Sequence, residues 1–382
     1  MTILIFACLS VIYLYRIDQP GVQIWDEQHY IPAAQSYLQG DKETYRNLRN
    51  PPLGKELITL SIRSFGDTFF AYRLPSALAA AALGALLFGA GLWLSGFWEG
   101  GLLSLLLWLS STLALLHARL AMVDMATALF FFAGLASFLP ILKNPTDKNS
   151  TIWLLIACSL AALGGSVKVL DSVLFPIFAI GLFAVREKWP LFKSLPRLAI
   201  FAALTSGITL LVTYGILGYS PGEIPDQFRK MFGLQSFLHK DYAGLSQWYD
   251  WFLGRGQLWY LAKLGEDGRR FGALCIQNPV LWTVGSLATL ALLFRGLFSK
   301  RPLDLVLGLS IPIQVLFWVI FKEQKILTYG LPMEPSLCLN TSYALSQWVP
   351  RRYYRVWAFC LAAGSLLYFW RALPEVGGGF FP

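Results

Sequence analysis

The chain has 382 residues, 56% of them hydrophobic and 14% charged, with a formal net charge of +9. Ordinary globular chains are about 45–50% apolar and about 25% charged. This composition, with a mean hydropathy of +0.54, excludes a disordered chain, a disulfide-knotted secreted module and a soluble enzyme. The five cysteines are Cys8, Cys158, Cys275, Cys338 and Cys360. They have no metal-type spacing, and four lie in apolar stretches where a thiol reads as a packing residue.

A helix crosses a bilayer with roughly 17–25 apolar residues. Eleven stretches qualify, at about 2–15, 75–95, 100–116, 121–142, 151–166, 169–185, 197–217, 279–297, 303–321, 326–348 and 353–372. The first lacks a preceding basic residue and a small-residue cleavage site, so it reads as an uncleaved signal anchor.

Eleven spans place the two termini on opposite sides. With a cytoplasmic N-terminus, the short inner loops hold twelve basic residues: Lys143, Lys148, Arg186, Lys188, Lys193, Arg197, Arg295, Lys300, Arg301, Arg351, Arg352 and Arg355. The short outer connections hold only Arg119, Lys168, Lys322 and Lys325. This positive-inside bias fixes the orientation and accounts for the charge without a nucleic-acid partner. Both long loops, 16–73 and 218–278, then fall on the extracytoplasmic side, within a single membrane domain spanning 1–382.

The first long loop carries Trp25-Asp26-Glu27 and, later, Asn50-Pro51-Pro52-Leu53-Gly54-Lys55. From Leu53 to Phe65 the residues Leu57, Ile58, Ile62 and Phe65 recur at helical spacing opposite Lys55, Glu56, Thr59 and Arg63. This pattern predicts a short amphipathic helix lying at the membrane surface. The second long loop contains twelve aromatic residues, among them Trp248, Tyr249, Trp251, Trp259 and Tyr260. Neither loop has a strand pattern long enough for a separate domain.

The adjacent acids Asp26 and Glu27 suit a general base, although by themselves they fit solvated loop carboxylates better. His29 reads as a hydrogen-bonded loop residue, and no second His or Cys stands at metal spacing, so no protein-built metal site is expected. A divalent cation held with a donor phosphate stays open. Near the outer ends of spans lie His117, Arg119 and Asp124; Lys168 and Asp171; and Lys322, Glu323 and Lys325. Ionisable groups at membrane depth usually face a protein interior or a wet cavity. One outward cavity could thus gather Arg73, Arg119, Lys168 and Lys325 around a lipid-linked phosphate. Snorkelling side chains are the plainer alternative for each residue taken singly. Such a cavity would let cations neutralise a phosphate leaving group while one carboxylate deprotonates an attacking hydroxyl.

Trp25-Asp26-Glu27, the Asn50–Lys55 stretch and Arg73-Leu74-Pro75-Ser76-Ala77 resemble the first outer loop of membrane glycosyltransferases of the GT-C class. Ala118-Arg119-Leu120-Ala121-Met122-Val123-Asp124 and Ser166-Val167-Lys168 are similar to segments of the protein O-mannosyltransferases. So are Ser246-Gln247-Trp248-Tyr249-Asp250-Trp251 with Arg255, Asn278-Pro279-Val280-Leu281-Trp282, and Tyr329-Gly330-Leu331-Pro332. The order holds from about residue 20 to 345. The resemblance implies an all-α membrane fold of about eleven helices and a polyprenyl-phosphate-mannose donor. It also implies a Ser or Thr hydroxyl acceptor, a base at Asp26 with Glu27 beside it, and Arg73 at the donor phosphate. Pro51, Pro52, Trp248, Tyr249 and Arg255 would serve the acceptor side, with His29, Lys55, Asp124 and Tyr329 as further candidates. Asn50 and Gly330 depart from the family, which has His at both places, and loop 218–278 has no room for the soluble MIR domain of eukaryotic members. That points to a bacterial plasma membrane rather than the endoplasmic reticulum. The same chemistry on a lipid or polysaccharide hydroxyl, as in the lipid A aminoarabinose transferases, is the alternative. A transporter or flippase is a further one, although no internal repeat is visible.

Overall fold

The computed structural model describes residues 1–41, 48, 50–236, 248–253, 255, 257–264, 270–320 and 327–377. Among them, six helices are long and apolar enough to cross a membrane: Phe69–Ser95, Asp124–Lys143, Ser150–Val167, Phe192–Ile216, Val280–Phe298 and Pro302–Ile320. The pair Trp98–Leu109 and Thr112–Ala118, bent by 73°, is a seventh if counted as one span. Of the other four expected spans, Thr2–Leu14 and Val169–Ala184 are shorter apolar helices, and 327–348 and Arg351–Gly377 are helical but outside that set, so the described residues give six or seven such spans where eleven were expected.

Side chains in these helices divide by solvent. Leu83, Trp108, Phe131, Phe132, Leu135 and Phe138 are buried in a core shared by several helices. Along Phe192–Ile216, by contrast, Ile200, Leu204, Ile208 and Leu211 point outward and exposed. An apolar row of that kind is stable only against lipid or another protein.

The break at Ser110–Ser111 has a visible cause. Ser111 caps the shorter helix by accepting from Ala114 N, and Ser110, the last residue bonded into the preceding helix, turns its side chain into a polar network. The Asn278 amide donates to the Ser110 carbonyl at 3.0 Å and to Ser365 Oγ at 2.9 Å, while its oxygen accepts from Val280 N and Leu281 N. One asparagine therefore joins the bend, the end of the second long loop and the last helix.

In the first long loop, helices Glu27–Leu38 and Leu53–Phe65 pack on each other, and Leu53–Phe65 also packs on Phe69–Ser95 and Ser150–Val167. Their small core contains Tyr30, Ile31, Ile58, Ile62, Val123 and Val167. The Leu53–Phe65 helix lies where periodicity places it, but its polar side is not a free face: Lys55 and Thr59 are buried. Lys55 Nζ donates to the Asn50 carbonyl at 2.8 Å, and Thr59 Oγ1 donates to the Ala34 and Lys55 carbonyls. Leu60 and Phe65 form the exposed side. The second long loop holds an antiparallel hairpin of β1, Gln257–Leu264, and β2, Arg270–Ile276. Loop periodicity did not reveal it, because Leu-Trp-Tyr-Leu and Ala-Leu-Cys-Ile are continuous apolar runs without strand alternation.

Candidate active site

Asp26 immediately precedes the helix Glu27–Leu38, and Trp25 before it has φ +53. A bulky aromatic residue in the left-handed region is strained and persists only where its surroundings hold it. Glu27 supplies much of that hold. Its carboxylate, fully buried, accepts from Arg73 Nε at 2.8 Å, Arg73 Nη2 at 2.9 Å, Ile24 N at 3.0 Å and Ala121 N at 2.8 Å.

The remaining Arg73 donors go to the carbonyls of Ile17, Pro20 and Val22. A guanidinium has five N–H donors, and all five of Arg73 are thereby committed inside the protein. Where the sequence predicts a donor-phosphate ligand, Arg73 is found bound to Glu27 and the loop backbone. Arg119 behaves similarly, donating to the Tyr15 carbonyl at 2.8 Å and the Arg16 carbonyl at 2.7 Å at the end of the first helix. These are carbonyls that helix termination leaves without partners. Glu27 likewise anchors the backbone, through Ile24 N and Ala121 N.

Lys168 does something different. Its ammonium lies 2.7 Å from Asp124 Oδ1 and 6.0 Å from the centre of the Tyr329 ring. Tyr329 in turn stacks on Trp318, with centroids 4.0 Å apart and planes 7° from parallel. Asp171, one turn beyond Lys168, is fully buried, and neither carboxylate oxygen is hydrogen-bonded among the described residues. The expected single ring of cations is thus two groups: Arg73 and Arg119 bind segment 13–27, and Lys168 joins Asp124. Lys325 lies outside the described residues.

Tyr260 of β1 links the first loop to this second group. Its hydroxyl is 2.5 Å from His117 Nε2, and its ring centroid is 5.4 Å from that of Trp25. Burial pushes the phenol well above its ordinary pKa, and the acidic groups around it push the same way.

Pro51 and Pro52 are buried beside Lys55. Asn50 Nδ2 donates to the Tyr30 hydroxyl at 3.2 Å. His29 sits in the first turn of Glu27–Leu38. Tyr249 and Arg255 are exposed on the second loop; Trp248 begins a short helix there, Trp248–Phe252. Among the described residues, no group of three or more His, Cys, Asp or Glu side chains is arranged to hold a metal ion.

One buried acid escaped the sequence reading. Glu334 accepts from Ser111 Oγ at 2.6 Å and Trp282 Nε1 at 2.9 Å. A lone carboxylate within the apolar stretch 326–348 was the available signal, since such a group at membrane depth marks a functional or organising position. The same tryptophan explains Gly330: a Cβ there would stand 2.8 Å from Trp282 Cη2, so the family's histidine cannot be accommodated without moving that ring.

The sequence model of the dolichyl-phosphate-mannose-protein mannosyltransferases matches residues 3–219, more than half of the chain. The chain belongs to that family. Comparison with curated protein sequences finds no match. Among solved structures, the fold is similar to the Saccharomyces cerevisiae protein O-mannosyltransferase Pmt1-Pmt2 complex bound to the sugar donor. That match has 13% identity and a TM-score of 0.74, covering 99% of this chain and 90% of that one. ArnT from Cupriavidus metallidurans in the apo state gives 18% identity and a TM-score of 0.60 over 98% of this chain. The chain spans 65% of the length of ArnT. The archaeal oligosaccharyltransferase AglB from Archaeoglobus fulgidus gives 14% identity and a TM-score of 0.57, covering 99% of this chain and 55% of that one. At these identities the likeness is one of fold, and it is the fold of membrane-embedded GT-C glycosyltransferases.

Proposed function

We propose that this chain is an inverting glycosyltransferase that moves a sugar, mannose by family membership, from a polyprenyl phosphate to a Ser or Thr hydroxyl of a protein. The observation that carries the reading is the Lys168–Asp124 ion pair at 2.7 Å, in a chain whose Trp25-Asp26 turn, packed against Tyr260, sets Asp26 at the head of the helix Glu27–Leu38. The family description supports the donor and acceptor classes. Structures of ArnT with undecaprenyl phosphate and of the yeast complex with its sugar donor support a polyprenyl-linked donor.

In this mechanism Asp26 removes the proton of the acceptor hydroxyl as its oxygen attacks the anomeric carbon. The bond from that carbon to the phosphate oxygen breaks, and polyprenyl phosphate leaves with the electron pair. One displacement inverts the anomeric centre and requires one base. An ammonium has three N–H donors; Lys168 directs one at Asp124 and offers the others to the leaving phosphate. Lys325 is assigned beside it on charge and sidedness. The N-terminus is cytoplasmic and both long loops are extracytoplasmic, in a bacterial plasma membrane.

The test is transfer of radiolabelled mannose from polyprenyl-phosphate mannose in purified membranes, with a Ser/Thr-rich peptide and a lipid extract as separate acceptors. Label on the peptide that falls by roughly 10²–10⁴-fold in Asp26→Asn is the expected result for loss of a general base. Label on lipid alone would transfer the reading to a lipid acceptor, and turnover near the wild-type rate in Asp26→Asn would remove the base assignment.

A further inference from the structure

We propose that Tyr260, fixed by His117, is a positioning residue for Asp26: its ring backs the Trp25 indole and holds the Trp25–Asp26 peptide in its left-handed conformation. The proposal rests on the reading of Asp26 as the base. The strain is at Trp25, whose φ is +53, and a residue so placed persists only where its surroundings over-determine it. Hydrogen bonding does not hold the indole, because Trp25 Nε1 is buried and makes no hydrogen bond among the described residues. What touches it is the Tyr260 ring, at 5.4 Å and a 46° tilt.

Tyr260 is itself built to stay in place. It is 4% exposed and bonds His117, which is fully buried on the short helix Thr112–Ala118 and meets the Tyr260 ring edge-on at 5.6 Å and 88°. The hairpin register jumps from Trp259↔Leu274 to Leu261↔Ala273, so residue 260 falls at a bulge. A bulge bends a strand and re-aims one side chain, here toward the first loop. On the far side of Trp25, Ile24 N is held by the Glu27 carboxylate. The strained residue is therefore fixed through its backbone by Arg73 and Glu27 and through its indole by the second loop.

The experiment is a double-mutant cycle on the intact protein, comparing Tyr260→Ala, Trp25→Gly and the pair, with Tyr260→Phe as the conservative variant. Glycine adopts positive φ without strain, so Trp25→Gly removes what Tyr260 is proposed to restrain. Tyr260→Ala should lower kcat by roughly 10²-fold, the scale of a misplaced reacting group, without a matching rise in acceptor KM. Tyr260→Phe, which retains the ring, should recover most of that loss. In the Trp25→Gly background, Tyr260→Ala should cost no more than about twofold, the scatter expected of residues acting as one unit. Multiplying effects, or a raised KM at constant kcat, would overturn the proposal and make Tyr260 a direct substrate contact. Thermal unfolding of each variant in detergent separates these results from misfolding. Asp26→Asn tests the base reading independently, since full turnover in that variant removes the base whatever the cycle shows.

Discussion

Glu27 and Arg73 form a fully buried ion pair whose outward bonds all go to backbone. Removing one member of such a pair leaves an uncompensated charge and costs about 3–5 kcal/mol. Arg73→Ala should accordingly depress the thermal unfolding midpoint and folded yield. A purely donor-binding arginine would instead leave stability unchanged and raise donor KM. The neighbouring Lys55 and Glu56 give a pH signature. Burial lifts the Glu56 carboxyl from 4.5 to about 8, with Lys55 pulling the other way. Burial lowers the Lys55 amine from 10.5 to about 7, opposed by Glu56. Between 4.5 and about 8 the unfolded chain has released the Glu56 proton and the folded chain keeps it, so stability falls as pH rises through that window. Lys55 contributes the opposite slope, rising from about 7 to 10.5. The unfolding midpoint of Glu56→Gln should match the wild type at the acid end and exceed it progressively toward pH 8. Parallel curves would show that the Glu56 carboxylate is solvated.

The helix Leu53–Phe65 depends on one close approach. A Cβ on Gly54 would lie 2.6 Å from Val123 Cγ1 and 3.1 Å from Val167 Cγ1. Those valines directly precede Asp124 and Lys168, so this contact sets the first loop against the ion pair. Gly54→Ala should destabilise the protein by about 1–3 kcal/mol through overpacking and lower transfer activity. Val123→Ala added to it should restore both, and failure of that rescue would show that the glycine serves something other than packing. The hydrophobic repeat within this helix was readable in the chain. The burial of Lys55 and Thr59 was not, because it depends on the Asn50 and Ala34 carbonyls brought near by folding.

Across the whole molecule, Asn278 connects parts distant in sequence: the helix break at Ser110, the end of the hairpin, and Ser365 in the last helix. In the sequence, Asn278-Pro279 stands out only as part of a family-like motif. In the structure it is a buried hub whose loss leaves several polar groups unsatisfied, at about 1–3 kcal/mol. Asn278→Leu should lower the unfolding midpoint without changing donor KM in the protein that remains folded. A donor-affinity change at unaltered stability would refute the structural role.

The chain alone determined that this is a multi-helix membrane protein, because apolar run length is a local property that a bilayer tests directly. It also determined the two polar loops and the ordered motifs from Trp25 to Pro332 that carry the family resemblance. Charge counting marked Arg73, Arg119 and Lys168 as alike, since a sequence records that a cation is present and not what it faces. Only the tertiary structure separated them. Glu27 and carbonyl groups of segment 17–22 enclose Arg73, carbonyl groups of segment 13–16 meet Arg119, and Lys168 pairs with Asp124. The strained Trp25 and its backing by Tyr260 were equally invisible beforehand, since the backing arises from a contact between residues more than two hundred positions apart.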